Sequence, residues 1–425
     1  MFSLKEEGKL TKLILGITCS LFFVICIFSI IKYGNSTLLG SLTDPNNDDV
    51  KFIRSAWILV DTGNYVYHTP PTATAFMMPG LSFVLAFFVT IFGKFGGITA
   101  FRVFQAMVQT GSLFMLFLIA RKLFNSKVGI MAVILSLFSI ADYWVTNLIL
   151  TETLFKFFVL CLVYFSIYAL EEQKTKYYVM GGLALGVATL FRPTIATFPI
   201  IILFIWLLKK VKFQNMLKYT AIVAVVFCLV LSPWWVRNYS IFHKFIPLTL
   251  ASGNPTLQGT YINYDQSSAK TDGLDYTQFT YPAGSEIANN EVEMEISKYR
   301  LTNLVPKHPL AFLEWYTVGK AKLQVRDPFF WSPEFLGVNA SLAKKWHKLT
   351  LLLSIMGGIM YYMNKKRNKN GTLVIATIIY FVAIYLPFFT MGRYFYPAMP
   401  LVIIFSAYAV VNLGSFLYRP FSHEI

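Results

Sequence analysis

Residues 13–31 read LILGITCSLFFVICIFSII, a run without a single charge, preceded by Lys5, Lys9 and Lys12. At about 1.5 Å of rise per residue, a helix of that length matches the roughly 30 Å hydrocarbon core of a bilayer. Only a helix or a closed barrel satisfies its backbone polar groups there. The run is too long for the core of a cleaved signal peptide, and no small-residue cleavage site follows it. It is therefore read as a retained first span with its basic flank inside.

The same grammar recurs along the chain. Hydrophobic residues make up 56% and charged residues 14% of the 425 positions, against roughly 25% charged in soluble domains. The net charge of +16 is gathered in short gaps: Arg121, Lys122 and Lys127; Lys174 and Lys176; Lys209, Lys210, Lys212 and Lys218; and Lys365, Lys366, Arg367 and Lys369. Basic residues in short gaps mark cytoplasmic loops, so the positive charge speaks for membrane lipids rather than nucleic acid. Cys19, Cys26, Cys161 and Cys228 all fall inside apolar runs, so no disulfide framework is readable.

Alternating sidedness gives spans at 13–31, 103–120, 128–146, 154–170, 178–190, 195–208, 219–236, 349–362, 372–389 and 398–417. The expected fold class is an all-α polytopic membrane protein with about ten transmembrane helices and both termini cytoplasmic. The run 81–92 is too short to cross and is expected to be interfacial or re-entrant. Residues 33–100 form a first extracytoplasmic loop. In it Val50, Ile53, Ala56, Trp57 and Val60 make an apolar stripe at helical spacing, expected to lie on the membrane surface. The domain reading is a membrane module over 1–236 carrying that loop, an extracytoplasmic insertion over 237–347, and C-terminal membrane helices over 348–425. Inside the insertion, helices are expected at 286–304 and 309–324, the second with Pro309 in its first turn.

Three groups of residues on the outer side could carry chemistry. Asp48 and Asp49 open the amphipathic helix, where a carboxylate also suits the helix N-terminus. Glu152 opens the fourth span, with Lys156 one turn on, in the spacing of an (i, i+4) ion pair. Arg192, Arg237 and Arg393 all sit at the outer boundary, and several arginines beside two acidic sites suggest an anionic ligand such as a lipid phosphate. No phosphate-binding glycine loop, dinucleotide fingerprint, GxSxG or His/Cys metal spacing is present. A donor substrate is accordingly expected within the membrane.

Several segments in order resemble the bacterial C-type (GT-C) glycosyltransferases related to protein O-mannosyltransferases and aminoarabinose transferases. They are Asp48, Phe52 and Ala56 at four-residue steps; Pro79-Gly80-Leu81; Arg102 and Gln105; ARKLF at 120–124; TETLF at 151–155; LFRPT at 190–194; PWWVRNY at 233–239; KHPLAFL at 307–313; and RYFYPAMPL at 393–401. The resemblance implies a GT-C fold with surface helices in the first loop. It also implies transfer of a sugar, with inversion, from a polyprenyl phosphate to an acceptor hydroxyl on a lipid, glycan or protein. No cofactor is required, and a divalent cation is left open. Asp48 would be the general base, with Asp49 and Glu152 beside it. Arg393, Arg192 and Arg237 would meet the donor phosphate, together with Lys156, His68 and Tyr394. The chain departs from the family pattern in having Met77 and Met78, not a cation, before Pro79, and Phe52 where Tyr is frequent. A polysaccharide polymerase or ligase, or a lipid-sugar flippase, are the rival readings.

Overall fold

The computed structural model describes residues 2–44, 46–68, 70–282 and 285–418. Helix α1 (Lys9–Tyr33) buries Leu15, Thr18, Phe22, Cys26 and Ser29, one narrow stripe at steps of three and four. Its opposite face leaves Leu13, Ile17, Leu21 and Val24 about half exposed or more. Such a face would be untenable in water and is ordinary in lipid.

The chain continues as α2 (Asp48–Thr62), α3 (Gly80–Leu123), α4 (Ser126–Ser136), α5 (Ile140–Asn147), α6 (Glu152–Glu172), α7 (Thr175–Phe191), α8 (Pro199–Leu208) and α9 (Phe213–Phe242). Next come α10 (Gly253–Gly259), α11 (Glu286–Leu304), α12 (Pro309–Glu314) and α13 (Lys320–Arg326). A two-stranded ladder, Glu334–Phe335 with Val338–Asn339, follows. Helices α14 (Ala340–Met363), α15 (Gly371–Ala383), α16 (Gly392–Phe395) and α17 (Met399–Tyr418) close the fold. The ten expected spans fall on helical segments, but 128–146 is divided between α4 and α5, and 372–389 runs past the end of α15 at Ala383. Among the described residues five helices are long and apolar enough to cross a membrane, or six if α4 and α5 form one bent span.

Two local breaks shape one end of the bundle. In α3, Gly93 takes φ 73°, a conformation suited to glycine, and the helix turns back on itself. A Cβ on Gly97 would lie 2.7 Å from Val89 Cα, so the two arms pack backbone to backbone. The short run 81–92 is therefore an arm laid against the start of the next helix, with Phe83, Phe87 and Ile91 exposed along one side. Helix α2 packs onto this hairpin. Val50, Phe52, Ile53 and Ala56 are fully buried in protein, so the stripe expected to lie on the membrane faces the hairpin instead.

The second break separates α4 from α5, which are bent by 61°. The helix after the break, α5, ends at Asn147, and its last carbonyls need partners in a place lipid cannot serve. Arg102 Nε donates to Asn147 O (2.8 Å), and Gln105 Nε2 to Leu148 O (2.8 Å) and Thr146 O (3.1 Å). The Arg102 and Gln105 motif thus closes the end of α5. Trp234 and Trp235, expected as interfacial anchors, donate their indole N–H groups to Leu248 O and Pro247 O and tie the insertion to α9. The insertion is tied down again by Lys320 Nζ on Leu386 O (2.8 Å) and Gln324 Nε2 on Phe381 O (2.6 Å), just ahead of α16.

Candidate active site

Asp48 is the first residue of α2, after the N-cap Asn47. It does not cap the helix. Its Oδ1 accepts from Tyr67 Oη (2.8 Å) and its Oδ2 from Arg393 Nη1 (2.8 Å), and its side chain is 40% exposed. Asp49, about 100° further round the helix, is completely buried. It accepts from Leu39 N (2.6 Å) and Val50 N (2.9 Å) and so fastens the preceding loop to α2.

Burial opposes ionisation of Asp48, but the Arg393 charge and the bonds from Arg393 and Tyr67 outweigh it and hold the carboxyl below its ordinary 3.8. In Asp49 burial prevails over the backbone donors and the carboxyl is raised. Of the two, Asp48 is the carboxylate held in its ionised form and open to solvent, and Asp49 is sealed.

Arg393 is shared. Besides Asp48 it reaches Glu152 through Nε, and Arg192 reaches the same Glu152 oxygen through Nη2. Glu152 is fully buried. Arg192 precedes Pro193, which drives its backbone out of the helical region (φ −145°, ψ 118°) and ends α7 there. Its Nε donates to Thr151 Oγ1 (3.1 Å), and its guanidinium lies 5.2 Å from the Tyr394 ring, which stacks on Tyr385. Gly392 lets the Arg393 turn approach the insertion, since a Cβ there would stand 2.5 Å from Asp327 O. Two carboxylates and two guanidiniums therefore balance. Arg393 gives Nε to Glu152 and Nη1 to Asp48, and its Nη2 is bonded to neither carboxylate.

The cluster stands where two cavities meet. One, about 240 Å³, is walled largely by apolar side chains, among them Phe52, Met77, Met78, Phe191 and Phe388. The other, about 670 Å³, is lined by amides and carboxylates as well as rings. Asp48, Arg393 and Tyr394 line both.

Other sequence-read candidates lie elsewhere. Lys156 points away from Glu152: its Nζ meets Asp142 Oδ1 (2.6 Å) and Tyr396 Oη (2.8 Å), and it is 1% exposed. Gln109 Nε2 completes that cluster on Asp142 Oδ1 (2.8 Å) and Tyr396 Oη (2.9 Å). This corrects the reading of Lys156 as a phosphate contact, because its ammonium is already neutralised and sealed. The expected (i, i+4) pair with Glu152 does not form, since Asp142 on a separate helix takes the lysine. Arg237 is corrected likewise. Its guanidinium donates to Asn238 Oδ1 (2.9 Å) and the carbonyl of Thr74, boxed by Tyr65, Trp234 and Phe242. His68 faces the polar cavity, with Nδ1 3.3 Å from Glu286 Oε1. Sequence reasoning missed Asp142, Tyr67 and Tyr385; an aspartate inside a span was the available signal for the first.

Among the described residues no group of three or more His, Cys, Asp or Glu side chains could hold a metal ion. Asp48 and Glu152 are each committed to arginine, which suits a cation site poorly.

Residues 72–236 match the family described as dolichyl-phosphate-mannose-protein mannosyltransferase. The whole chain is similar to the oligosaccharyltransferase of Archaeoglobus fulgidus in its apo form, with a TM-score of 0.61 and 15% identity over 99% of this chain and 52% of that one. The same archaeal enzyme in complex with an inhibitory peptide and a dolichol-phosphate gives a TM-score of 0.53 and 15% identity over 96% of this chain and 52% of that one. Tethered to an acceptor peptide, it gives 0.54 and 14% over 94% and 50%. The chain thus spans about half the length of these structures, and identity this low speaks to the fold alone. No curated protein sequence matches.

Proposed function

We propose that this chain, which has the GT-C glycosyltransferase fold, moves a sugar from a polyprenyl phosphate to an acceptor hydroxyl on the extracytoplasmic side of the membrane, with inversion. The observation that carries this reading is the position of Asp48 and Arg393 at the junction of an apolar and a polar cavity. The bound dolichol-phosphate of the archaeal oligosaccharyltransferase and the matched mannosyltransferase family support a lipid phosphate as the carrier.

In this reading the polyprenyl chain lies along the apolar cavity and its phosphate binds Arg393, with Arg192 behind. The acceptor enters from the polar side. Its oxygen attacks the anomeric carbon while the bond to the phosphate oxygen breaks and the electron pair leaves on the phosphate. The hydroxyl proton passes to Asp48. Phosphate is a stable leaving anion, so no general acid is needed, and cationic stabilisation of its oxygens is. A phosphate held on Arg393 Nη2 adds negative charge beside Asp48 and shares its cation, so donor binding raises the proton affinity of the base. Met77 and Met78, where a cation was absent from the sequence pattern, form apolar wall and take no part in holding charge.

Three outcomes follow. Arg393→Ala should lower kcat/KM by about 10²–10³, the scale of losing one oxyanion-type contact. Arg393→Lys should recover only part, since it lacks the planar fork. An Ala variant of near wild-type rate would shift the phosphate to Arg192. The pH profile should show two acid limbs. A carboxyl whose folded value is depressed contributes stability above its unfolded pKa and loses it as pH falls through the folded value. By the same sign the acid limb of kcat/KM, which reports the free enzyme, should lie at lower pH than that of kcat, where the donor phosphate lies beside Asp48. Coincident limbs would deny that donor binding perturbs Asp48. For sidedness, cysteines placed at Asn46 and Asp275 should react with an impermeant thiol reagent added to intact cells, and one at Lys366 should not. Reversed labelling would put the site on the wrong side.

A further inference from the structure

The polar cavity has its own chemistry, and it bears on what the acceptor is. Four of its side chains are locked in one orientation by a bonded ladder between α10 and α11. Glu293 Oε1 can only accept when ionised, so the Asn254 amide must turn its N–H toward it (2.9 Å). Asn254 Oδ1 then faces Gln258, which must present Nε2 (2.7 Å). Asn290 Oδ1 is fixed in the same way by the backbone N–H of Gly253 (2.7 Å) and the Ser252 hydroxyl (3.2 Å). The ladder leaves the Asn290 amide N–H group as a donor and the Gln258 carbonyl oxygen as an acceptor, both on the cavity wall. On another wall stands Trp331, its indole 46% exposed and held edge-on by Phe329.

A donor and an acceptor in fixed orientations on the cavity wall suit a sugar's hydroxyls, each of which both donates and accepts. An exposed indole face offers its π surface to the C–H face of a pyranose ring. The fixed orientations mean little rotamer entropy is lost when a ligand binds. A peptide that binds by strand addition needs an open strand edge for its backbone. Among the described residues the only ladder is the two-residue pair Glu334–Phe335 with Val338–Asn339, and none of those four residues lines the cavity.

We propose that the acceptor is a carbohydrate, bound in the polar cavity by Asn290, Gln258 and Trp331 with one hydroxyl directed at Asp48. This rests on the transferase reading and departs from the peptide acceptor of the archaeal oligosaccharyltransferase.

The test separates the two claims by measuring binding without turnover. The full-length protein in lipid nanodiscs is probed by saturation-transfer NMR with a panel of gluco-, galacto-, manno- and rhamno-oligosaccharides and with Ser/Thr-rich peptides. Binding of undecaprenyl phosphate is measured separately. At least one oligosaccharide should bind, with Kd raised at least tenfold by Trp331→Ala and by Gln258→Leu. Thermal melts of the variants show that each is folded. Peptide binding without any oligosaccharide signal, no binding at all, or oligosaccharide binding indifferent to both variants would overturn the proposal. If oligosaccharide binds and undecaprenyl phosphate does not, the transferase reading fails while the polar cavity stands as a carbohydrate site.

Discussion

Asp48→Asn should yield a stable, correctly inserted protein whose transfer rate has fallen by a factor of about 10² to 10⁴, the usual cost of losing a general base. The substitution is nearly isosteric. Its amide oxygen can still accept from Arg393 or Tyr67, and the loss of charge at a helix N-terminus costs only about 0.3–1 kcal/mol. Asp49→Asn should show the opposite pattern. Asp49 is sealed and bonded to Leu39 N and Val50 N, and an amide offers one acceptor oxygen where the carboxylate offers two. Leaving a buried N–H without a partner costs about 1–3 kcal/mol, so that variant should melt earlier yet retain turnover in its folded fraction. Thermal melts and initial rates on both proteins separate the roles. An active Asp48→Asn with a dead Asp49→Asn would move the base by one residue.

Lys156→Met should destabilise the protein by about 3–5 kcal/mol, because it strands the buried Asp142 carboxylate without its cation. Lys156 and Asp142 are 1% and 8% exposed at their side chains, and Tyr396 joins them. That tyrosine is three residues past Arg393, so the cluster pins the turn carrying Arg393 against α6. The double variant Lys156→Met/Asp142→Asn should recover most of the loss, since replacing both members of a buried pair is often near neutral. A single variant as stable as wild type, measured by thermal unfolding in nanodiscs, would mean Asp142 finds another partner.

The sequence made the helical class legible because lipid imposes length, charge exclusion and sidedness on every span. It also pointed to Asp48, Glu152, Arg192 and Arg393, residues from four distant segments that the structure gathers into one ion network. Pairing beyond that was not legible. Spacing put Lys156 one turn from Glu152, but Asp142 arrives from a different helix, and no local pattern reports such a partner. Arg237 looked like Arg192 by position, yet its bonds are spent on the 65–74 loop. The amphipathic stripe of α2 was right in period and wrong in what covers it, because the Gly93 reversal that builds the hairpin is set by a single φ angle. The polar cavity wall at residues 252–293 read only as turns and helix, since its orientation depends on bonds between α10 and α11.

The most direct measurement is transfer from a panel of radiolabelled polyprenyl-phosphate sugars by purified wild-type protein, with Asp48→Asn alongside and the product's anomeric configuration determined. The account predicts that label leaves one donor only with the wild-type protein, releases free polyprenyl phosphate, and appears in product with the anomeric configuration inverted. Release from no donor, retention of configuration, or equal transfer by Asp48→Asn would contradict it.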